Sequence, residues 1–225
     1  MLDKRQPQPK LLNLNNISAV LFDLDGTMVD NMKYHILAWQ EFLKRYKIKL
    51  SDDDFKELLL GKRNDQILAI IFGRQLTPEE IKYYAEEKEE LYRELYVSHI
   101  AEVDGLRSLL RRLKERNIKL AVATSAPETS RNLVLESLKI ADKFDVIQGE
   151  EHAVEGKPSP EIFLVTAEKL GVPPQACLVF EDTPAGIEAA RRAGMKVVGL
   201  LTTHSEKELV NADLVVENYE QLQLA

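Results

Sequence analysis

FDLDGTMV, residues 22–29, directly follows the apolar run at 17–21 and carries two aspartates, Asp23 and Asp25. An apolar run of this kind predicts a strand buried on both faces, whose carboxyl end opens toward the ligand crevice of an α/β sheet. Two uncompensated carboxylates at such an opening would repel each other, so the pair suggests a bound cation. The alternative is an ordinary strand end followed by an Asp-Gly turn.

From about residue 100 onward, short apolar runs alternate with amphipathic segments. This alternation predicts a doubly wound α/β fold, a Rossmann-like parallel sheet with one helix in each crossover. The predicted strands are Ile118–Ala123, Phe144–Gln148, Ala176–Phe180, Lys196–Leu200 and Asp213–Val216. The predicted helices lie near 105–116, 128–138, 160–170, 184–193 and 205–211.

The first predicted strand is separated from the others by a long stretch whose pattern is purely helical. We interpret this stretch as an inserted all-helical cap domain at 31–99, with the catalytic core at 17–30 and 100–225. Residues 1–16 are polar and contain two prolines, so we expect them to form a flexible leader.

Two residues interrupt the apolar stripes of the cap. His35 lies in the first helical stripe, and Lys88 lies in a later stripe with Ile81, Tyr84, Leu91 and Leu95. His35 has a structural interpretation, as a hydrogen-bonded core histidine. The lysine has two: its stem could lie over the apolar face, or its ammonium could bind an anionic substrate.

The bulk composition excludes several classes of protein. With 44% hydrophobic and 30% charged residues the chain is an ordinary globular protein, and its net charge of -7 argues against nucleic acid as a partner. We expect no membrane partner, because no apolar run has the length of a membrane span and the N-terminus lacks an apolar signal. A single cysteine, Cys177, fits the reducing cytoplasm. We expect a monomer.

Four polar groups follow predicted strands, and the carboxyl ends of parallel strands converge on one crevice. They are Asp23 with Asp25, Thr124 with Ser125, Lys157 in the GKPSP loop at 156–160, and Glu181 with Asp182. Each has an ordinary alternative, such as a helix cap for the hydroxyls or a solvent-facing lysine. Taken together, hard oxygen ligands open to substrate suit Mg²⁺, and a carboxylate, a hydroxyl and a lysine around it suit phosphoryl transfer.

Four segments, FDLDGT, ATS, GKPSPEIF and FEDTPAGIEAA, occur in an order and spacing that resemble the sequence motifs of the haloacid dehalogenase superfamily. The resemblance runs from about residue 17 to the C-terminus. The helical insert and the segment DNMKYHILAW make the chain most similar to the β-phosphoglucomutase-like phosphatase branch.

The resemblance implies roles for the catalytic residues. Asp23 would be the nucleophile that takes the phosphoryl group. Asp25 would be the general acid and base, and Thr124 would bind a phosphoryl oxygen. Lys157 would stabilise the nucleophile and the transferred charge. The presence of Asp25 argues against a dehalogenase, because that branch lacks an acid two residues after its nucleophile.

The resemblance also implies the metal and substrate ligands. Mg²⁺ would be held by Asp23, the backbone carbonyl of Asp25, and Asp182, with Glu181 a direct or water-bridged partner. The expected substrate is a small phosphorylated metabolite such as a sugar phosphate, and the residues expected to bind it are His35, Arg63, Asn64, Lys88 and Ser125.

The reaction has two main candidates, hydrolysis and mutase chemistry. Where β-phosphoglucomutases carry Ser-Lys-Asn for the second phosphate, this chain has Ala126-Pro127-Glu128, and we expect Glu128 to repel that phosphate. Asn64 aligns with a substrate-binding arginine of the mutases, with Arg63 one place away. His35 and Lys88 match mutase positions. We favour hydrolysis, and a non-catalytic phosphate-binding module is the third alternative.

Overall fold

The computed structural model describes residues 9–51 and 63–225. The strands are β1 (Lys10–Leu12), β2 (Ala19–Phe22), β3 (Lys119–Ala123), β4 (Val146–Gln148), β5 (Cys177–Glu181), β6 (Lys196–Leu200), β7 (Leu214–Val216) and β8 (Leu222–Leu224). The α-helices are α1 (Met32–Arg45), α2 (Asn64–Phe72), α3 (Pro78–Tyr96), α4 (Leu106–Glu115), α5 (Glu128–Leu138), α6 (Glu161–Leu170) and α7 (Pro184–Arg192). Single 3₁₀ turns lie at Val97–His99, Ala141–Lys143, Glu150–His152, Pro174–Ala176 and Tyr219–Gln221.

Six strands form one sheet in the order β4-β3-β2-β5-β6-β7, and every neighbouring pair is parallel. In this register Phe22 at the end of β2 pairs with Val122 on one side and Phe180 on the other. The residues that follow these three strands therefore emerge side by side at one edge. The predicted doubly wound α/β fold is confirmed.

The central strands are buried because helices cover both faces of the sheet. β2 and β5 have no exposed residue, as expected for apolar strands between two helical layers. On one face Phe22 stacks on Phe180 with ring centroids 5.0 Å apart, and Tyr219 packs against both rings. This packing holds the ends of β2 and β5 together, next to the candidate site.

Helices α1, α2 and α3 form the cap between β2 and α4. Helix α3 begins at Pro78 after a capping box, in which Thr77 Oγ1 accepts from Glu80 N and the Glu80 carboxylate accepts from Thr77 N. Aromatic rings of all three helices pack together: Phe42, Tyr46, Phe72 and Tyr84. The predicted helical insert is confirmed, although its residues 52–62 lie outside the described residues.

The two segments that connect cap and core are paired with each other. Val29 forms an antiparallel bridge with Glu102, and Val103 N donates to Met28 O over 2.9 Å. The chain therefore leaves the core and returns to it at one place, which is the geometry of a hinge between two bodies.

Two sequence-based expectations differ from the structure. Residues 10–12, placed in the flexible leader, form β1, because they pair with β8 and Leu12 is buried beneath that pair. The segment 205–211, expected to be a helix, forms only turns. Ser205 N donates to the Glu208 carboxylate and begins a turn there. Seven residues form too few helical hydrogen bonds to offset the free energy cost of helix nucleation. In the part of the chain that the structure describes, no helix combines the length and apolar character required to cross a bilayer.

Candidate active site

Lys157 joins two carboxylates at the carboxyl edge of the sheet. Its ammonium donates to Asp23 Oδ1 over 2.6 Å and to Glu181 Oε1, and all three side chains are buried. Burial alone would lower the pKa of Lys157, but the two carboxylates raise it overall, so the lysine is charged. Burial raises the pKa of Asp23 to about 7, with Lys157 opposing that rise and Glu181 adding to it. Lys157 is therefore a fixed positive charge between the two carboxylates.

Asp23, Glu181 and Asp182 form a buried acidic cluster whose ligand oxygens lie within 4.8 Å of one another. Asp182 Oδ1 accepts from Thr27 Oγ1 over 3.1 Å, whereas Oδ2 is buried without a hydrogen-bond partner among the described residues. Burial and then the charge of Glu181 raise the pKa of Asp182 well above its ordinary value. A divalent cation would satisfy the Oδ2 atom and relieve the repulsion, so the donor set fits Mg²⁺.

Two glycines, Gly26 and Gly186, lack the Cβ atoms that would clash with carboxylates of the acidic cluster. Gly26 has a left-handed φ of 76°, and a Cβ there would lie 2.0 Å from Asp182 Oδ2. A Cβ on Gly186 would lie 1.9 Å from the Glu181 carboxylate. Glu181 Oε2 accepts from the backbone nitrogens of Asp182 and Thr183 and from Thr183 Oγ1, at 2.9–3.0 Å. Close backbone approach therefore sets the positions of both carboxylates.

The Asp25 carboxylate lies apart from this cluster. Asn31 Nδ2 donates to Asp25 Oδ1 over 2.5 Å, and the same nitrogen lies 2.6 Å from Tyr92 Oη. His35 Nε2 is 3.5 Å from Asp25 Oδ2. Burial would raise the pKa of Asp25, but His35 and Asn31 lower it overall. Asp25 is therefore an ionised carboxylate directed toward His35 of the cap.

His35, Lys88 and Glu89 form a hydrogen-bonded chain in the cap above Asp25. Lys88 is buried, and its ammonium donates to His35 Nδ1 over 2.8 Å and to Glu89 Oε1 over 2.7 Å. Since an ammonium can only donate, His35 Nδ1 accepts this bond, and Nε2 is the ring nitrogen that can carry a proton. The Nε2–H group is thus aimed at Asp25. Lys88 does not extend its ammonium to solvent, which excludes the snorkelling interpretation.

Thr124 and Ser125 line the same crevice as Asp23 and Lys157. Thr124 Oγ1 accepts from Ala126 N over 3.1 Å, and the side chain is buried. Helix α5 takes Pro127 as its N-cap residue, so Thr124 is not the cap of that helix. Its hydroxyl hydrogen remains available for an anion in the crevice.

The two cap residues at the start of α2 differ in what they contact. Arg63 Nη1 donates to the carbonyls of Ala153 and Val154, in the core loop that precedes Lys157. It therefore joins cap to core at the rim of the crevice, which it also lines, and its substrate-binding role stays a prediction. Asn64 Nδ2 donates to Glu89 Oε1 over 3.0 Å and lines the crevice as expected.

Sequence reasoning missed Asn31, Glu89 and Ser130. Glu89 is buried and accepts from Ser130 Oγ, on core helix α5, over 2.6 Å. The predicted stripe on α3 included Leu95, which is 38% exposed, whereas Tyr92 and Tyr96 are buried. A stripe through Lys88, Tyr92 and Tyr96 has the same helical spacing, and this choice would have placed Glu89 at the crevice.

Fold and site together define an α/β enzyme with a carboxylate-lined crevice beneath a helical cap. The chain belongs to the haloacid dehalogenase-like hydrolases, since the profile of that family matches residues 20–200. Within this superfamily it falls in the β-phosphoglucomutase-like branch, which confirms the resemblance drawn from the motifs.

Relatives in this branch differ in the reaction that their names state. A β-phosphoglucomutase of Bacillus subtilis (strain 168) is 36% identical, over 92% of each chain. A fructose-1-phosphate phosphatase of Escherichia coli (strain K12) is 31% identical, over 80% of this chain and 95% of its own. The crystal structure of a β-phosphoglucomutase from Clostridium difficile superimposes with a TM-score of 0.81 at 35% identity, covering 92% of this chain and 93% of its own.

Proposed function

We propose that this protein is a Mg²⁺-dependent phosphatase that hydrolyses a small phosphate monoester, such as a sugar phosphate, through an aspartyl-phosphate intermediate on Asp23. The observation that carries the proposal is the arrangement of Lys157 between Asp23 and Glu181, beside the unpartnered oxygen of Asp182. Positioned charges of this kind are what phosphoryl transfer requires, because its difficulty is charge neutralisation and alignment.

In the first step an oxygen of Asp23 attacks phosphorus while the bond to the ester oxygen breaks. Thr124 and Ser125, at the end of β3, donate to phosphoryl oxygens, and Lys157 neutralises charge on the transferred group. Asp23, Asp182 and the Asp25 carbonyl would hold Mg²⁺, with Glu181 as a direct or water-bridged partner, and the ion would add positive charge beside the phosphoryl oxygens.

Asp25 acts as the general acid in the first step and as the general base in the second. It gives a proton to the leaving ester oxygen, and as a carboxylate it then takes a proton from the water that attacks the aspartyl phosphate. Water adds to phosphorus, the bond to Asp23 breaks and inorganic phosphate leaves. The lowered pKa of Asp25 favours the carboxylate needed in the second step. An approaching phosphate dianion raises that pKa and favours the acid needed in the first.

Hydrolysis is favoured over mutase chemistry by the lining of the crevice. Ala126 and Pro127 line it where a mutase would need a cation for the second phosphate. Glu128, expected to repel that phosphate, is exposed on the first turn of α5 and does not line the crevice. Among the described residues of the cap, the carboxylate that lines the crevice is Glu89.

The second candidate is a hexose phosphate mutase. The 36% identity to the Bacillus subtilis mutase favours it, as does the contact of His35 with Lys88 beside Asp25. In a mutase a sugar hydroxyl, and not water, receives the phosphoryl group from Asp23.

A ³¹P NMR time course separates the two reactions. The protein would be supplied with Mg²⁺, hexose 1- and 6-phosphates and a trace of β-glucose 1,6-bisphosphate. Growth of inorganic phosphate is the expected result, and the ester that disappears first shows the preference. Conversion of a 1-phosphate into a 6-phosphate without free phosphate would overturn hydrolysis.

The nucleophile is tested by Asp23→Asn, which should abolish turnover because the amide cannot form the acyl phosphate. Asp30→Asn is the matched control, since Asp30 is exposed in the same segment and lies outside the crevice. Normal turnover in Asp23→Asn would exclude the proposed mechanism.

A further inference from the structure

The crevice contains more acidic than basic groups. Five carboxylates line it, against the permanent cations Arg63, Lys88 and Lys157. One bound Mg²⁺ would therefore bring these lining charges close to neutrality. A substrate with a single phosphate adds a charge that Lys157 and the metal face directly. A second phosphate would need a further cation elsewhere in the crevice.

Each of the three lining cations already has partners. Lys157 is held by Asp23 and Glu181, as described above. Lys88 is paired with Glu89 and bound to His35. The Arg63 guanidinium binds two carbonyls of the core, and its Nε lies 3.3 Å from Asp65 Oδ1. On the described part of the cap, Lys88 is therefore neutralised by Glu89, and Arg63 is bonded to the core at the rim of the crevice.

Glu89 is the ionised group that the cap presents to the crevice. Burial would raise its pKa, but Lys88 and His35 lower it to about 2. Its Oε1 atom accepts from Lys88 and Asn64, and Oε2 accepts from Ser130. A carboxylate offers about four acceptor positions, so donors of the described residues leave one position on Oε2. Asn64 uses one of its two amide hydrogens and keeps the other.

We propose that Glu89 and Asn64 determine specificity, by binding hydroxyl groups of an uncharged leaving group and excluding a second phosphate. This inference rests on the proposed function, and it names the substrate class as monophosphates of neutral polyhydroxy compounds. Oε2 of Glu89 accepts from a substrate hydroxyl, and the Asn64 amide donates to a neighbouring one. A second phosphate in the same place meets the Glu89 carboxylate, and the described cation beside it, Lys88, is already paired with that carboxylate, so like-charge repulsion costs binding free energy.

Binding, measured without turnover, tests this assignment. Asp23→Asn protein with saturating Mg²⁺ would be titrated calorimetrically with fructose 1-phosphate, fructose 1,6-bisphosphate, glucose 1-phosphate and glucose 1,6-bisphosphate. We expect each monophosphate to bind at least about tenfold more tightly than its bisphosphate. Adding Glu89→Gln keeps the shape and the hydrogen bonds but leaves Lys88 unpaired, so the preference should fall about tenfold or reverse.

The control is Glu90→Gln in the same background, which makes the same chemical change at the next, exposed residue. It should leave the preference unchanged. Equal binding of both esters, failure of the monophosphates to bind, or an equal shift in both by Glu89→Gln would each overturn the assignment. The phosphatase proposal is judged separately, by phosphate release from the wild-type protein. A wild-type protein that releases none but shows the predicted preference would refute hydrolysis alone.

Discussion

Ser130 Oγ, on helix α5 of the core, donates to Glu89 Oε2, on helix α3 of the cap, over 2.6 Å. Both side chains are buried and the acceptor is charged. A hydrogen bond to a charged acceptor is stronger than one between two neutral groups. The bond crosses from one domain to the other beside the crevice. It can form only when the cap lies against the core, and it therefore favours the closed arrangement.

Ser130→Ala should weaken closure and raise KM for the substrate. The variant removes one of the three donors to a buried carboxylate, an effect of about 1–3 kcal/mol on the closed state. We expect kcat/KM to fall about tenfold, with a smaller change in Tm. Steady-state kinetics and thermal unfolding measure the two effects. Ser137→Ala, on an exposed position of the same helix, is the control. A fall in Tm without any change in KM would contradict a role in closure.

Thr27→Val should weaken Mg²⁺ binding. Thr27 Oγ1 orients Asp182 through its hydrogen bond to Oδ1, and loss of such an outer partner costs about tenfold or more in metal affinity. Isothermal titration with Mg²⁺ measures the affinity directly. Thr27→Ser keeps the hydroxyl and should keep the affinity. If Thr27→Val and Thr27→Ser bind Mg²⁺ equally well, the hydroxyl does not position the ligand.

Mg²⁺ affinity should rise with pH up to at least about 7. In the metal-free protein the pKa of Asp23 is raised to about 7, first by burial, so below that pH the carboxyl carries a proton that Mg²⁺ must displace. Each proton that Mg²⁺ displaces makes the affinity rise about tenfold per pH unit, and Asp182, whose pKa burial also raises, adds to the rise. Titrations at pH 6 in buffers of different ionisation enthalpy should show proton release. An affinity that does not change between pH 5.5 and 8 would rule out this coupling.

Glu150 should make the protein less stable as the pH rises from about 4.5 to 7. Burial raises its pKa to about 7, so between these values the carboxyl ionises in the unfolded chain before it does so in the folded one. Solvent reaches part of this side chain, so we expect about 1–2 kcal/mol and not the full shift. Glu150→Gln should remove the loss of stability, as measured by chemical unfolding at pH 5 and pH 8.

The neighbouring Glu151 provides a control of opposite sign. Burial would raise its pKa, but hydrogen bonds from Arg131 lower it overall. Glu151→Gln should therefore reduce stability above pH 4.5, where the ion pair with Arg131 exists. Similar pH profiles for the two variants would show that the local charges do not set these pKa values.

Much of the candidate site is predictable because it depends on strand ends. A parallel sheet brings Asp23, Thr124 and Asp182 to one edge whenever the apolar runs are strands, and sequence patterns locate such runs within one or two residues. The family and the fold expected from these motifs are confirmed. The catalytic and metal-binding roles remain predictions, supported by the geometry.

The cap contacts were less predictable, since they depend on packing between elements distant in the sequence. No local pattern shows that Glu89 meets Ser130 or that Arg63 binds the backbone near Ala153. The phase of the apolar stripe on α3 was also ambiguous, because either of two rows of residues satisfied helical spacing. In the structure members of both rows are buried, Lys88 and Leu91 as well as Tyr92 and Tyr96.

The pairing of Val29 with Glu102 has an evolutionary consequence. The chain leaves the core and returns to it at two residues that are paired with each other. The insert between them can therefore be lengthened, shortened or replaced without changing the register of the six strands. Selection for a new substrate can therefore rewrite the insert while the chemical machinery is inherited intact. This predicts that grafting the insert of a relative onto this core would transfer its substrate preference.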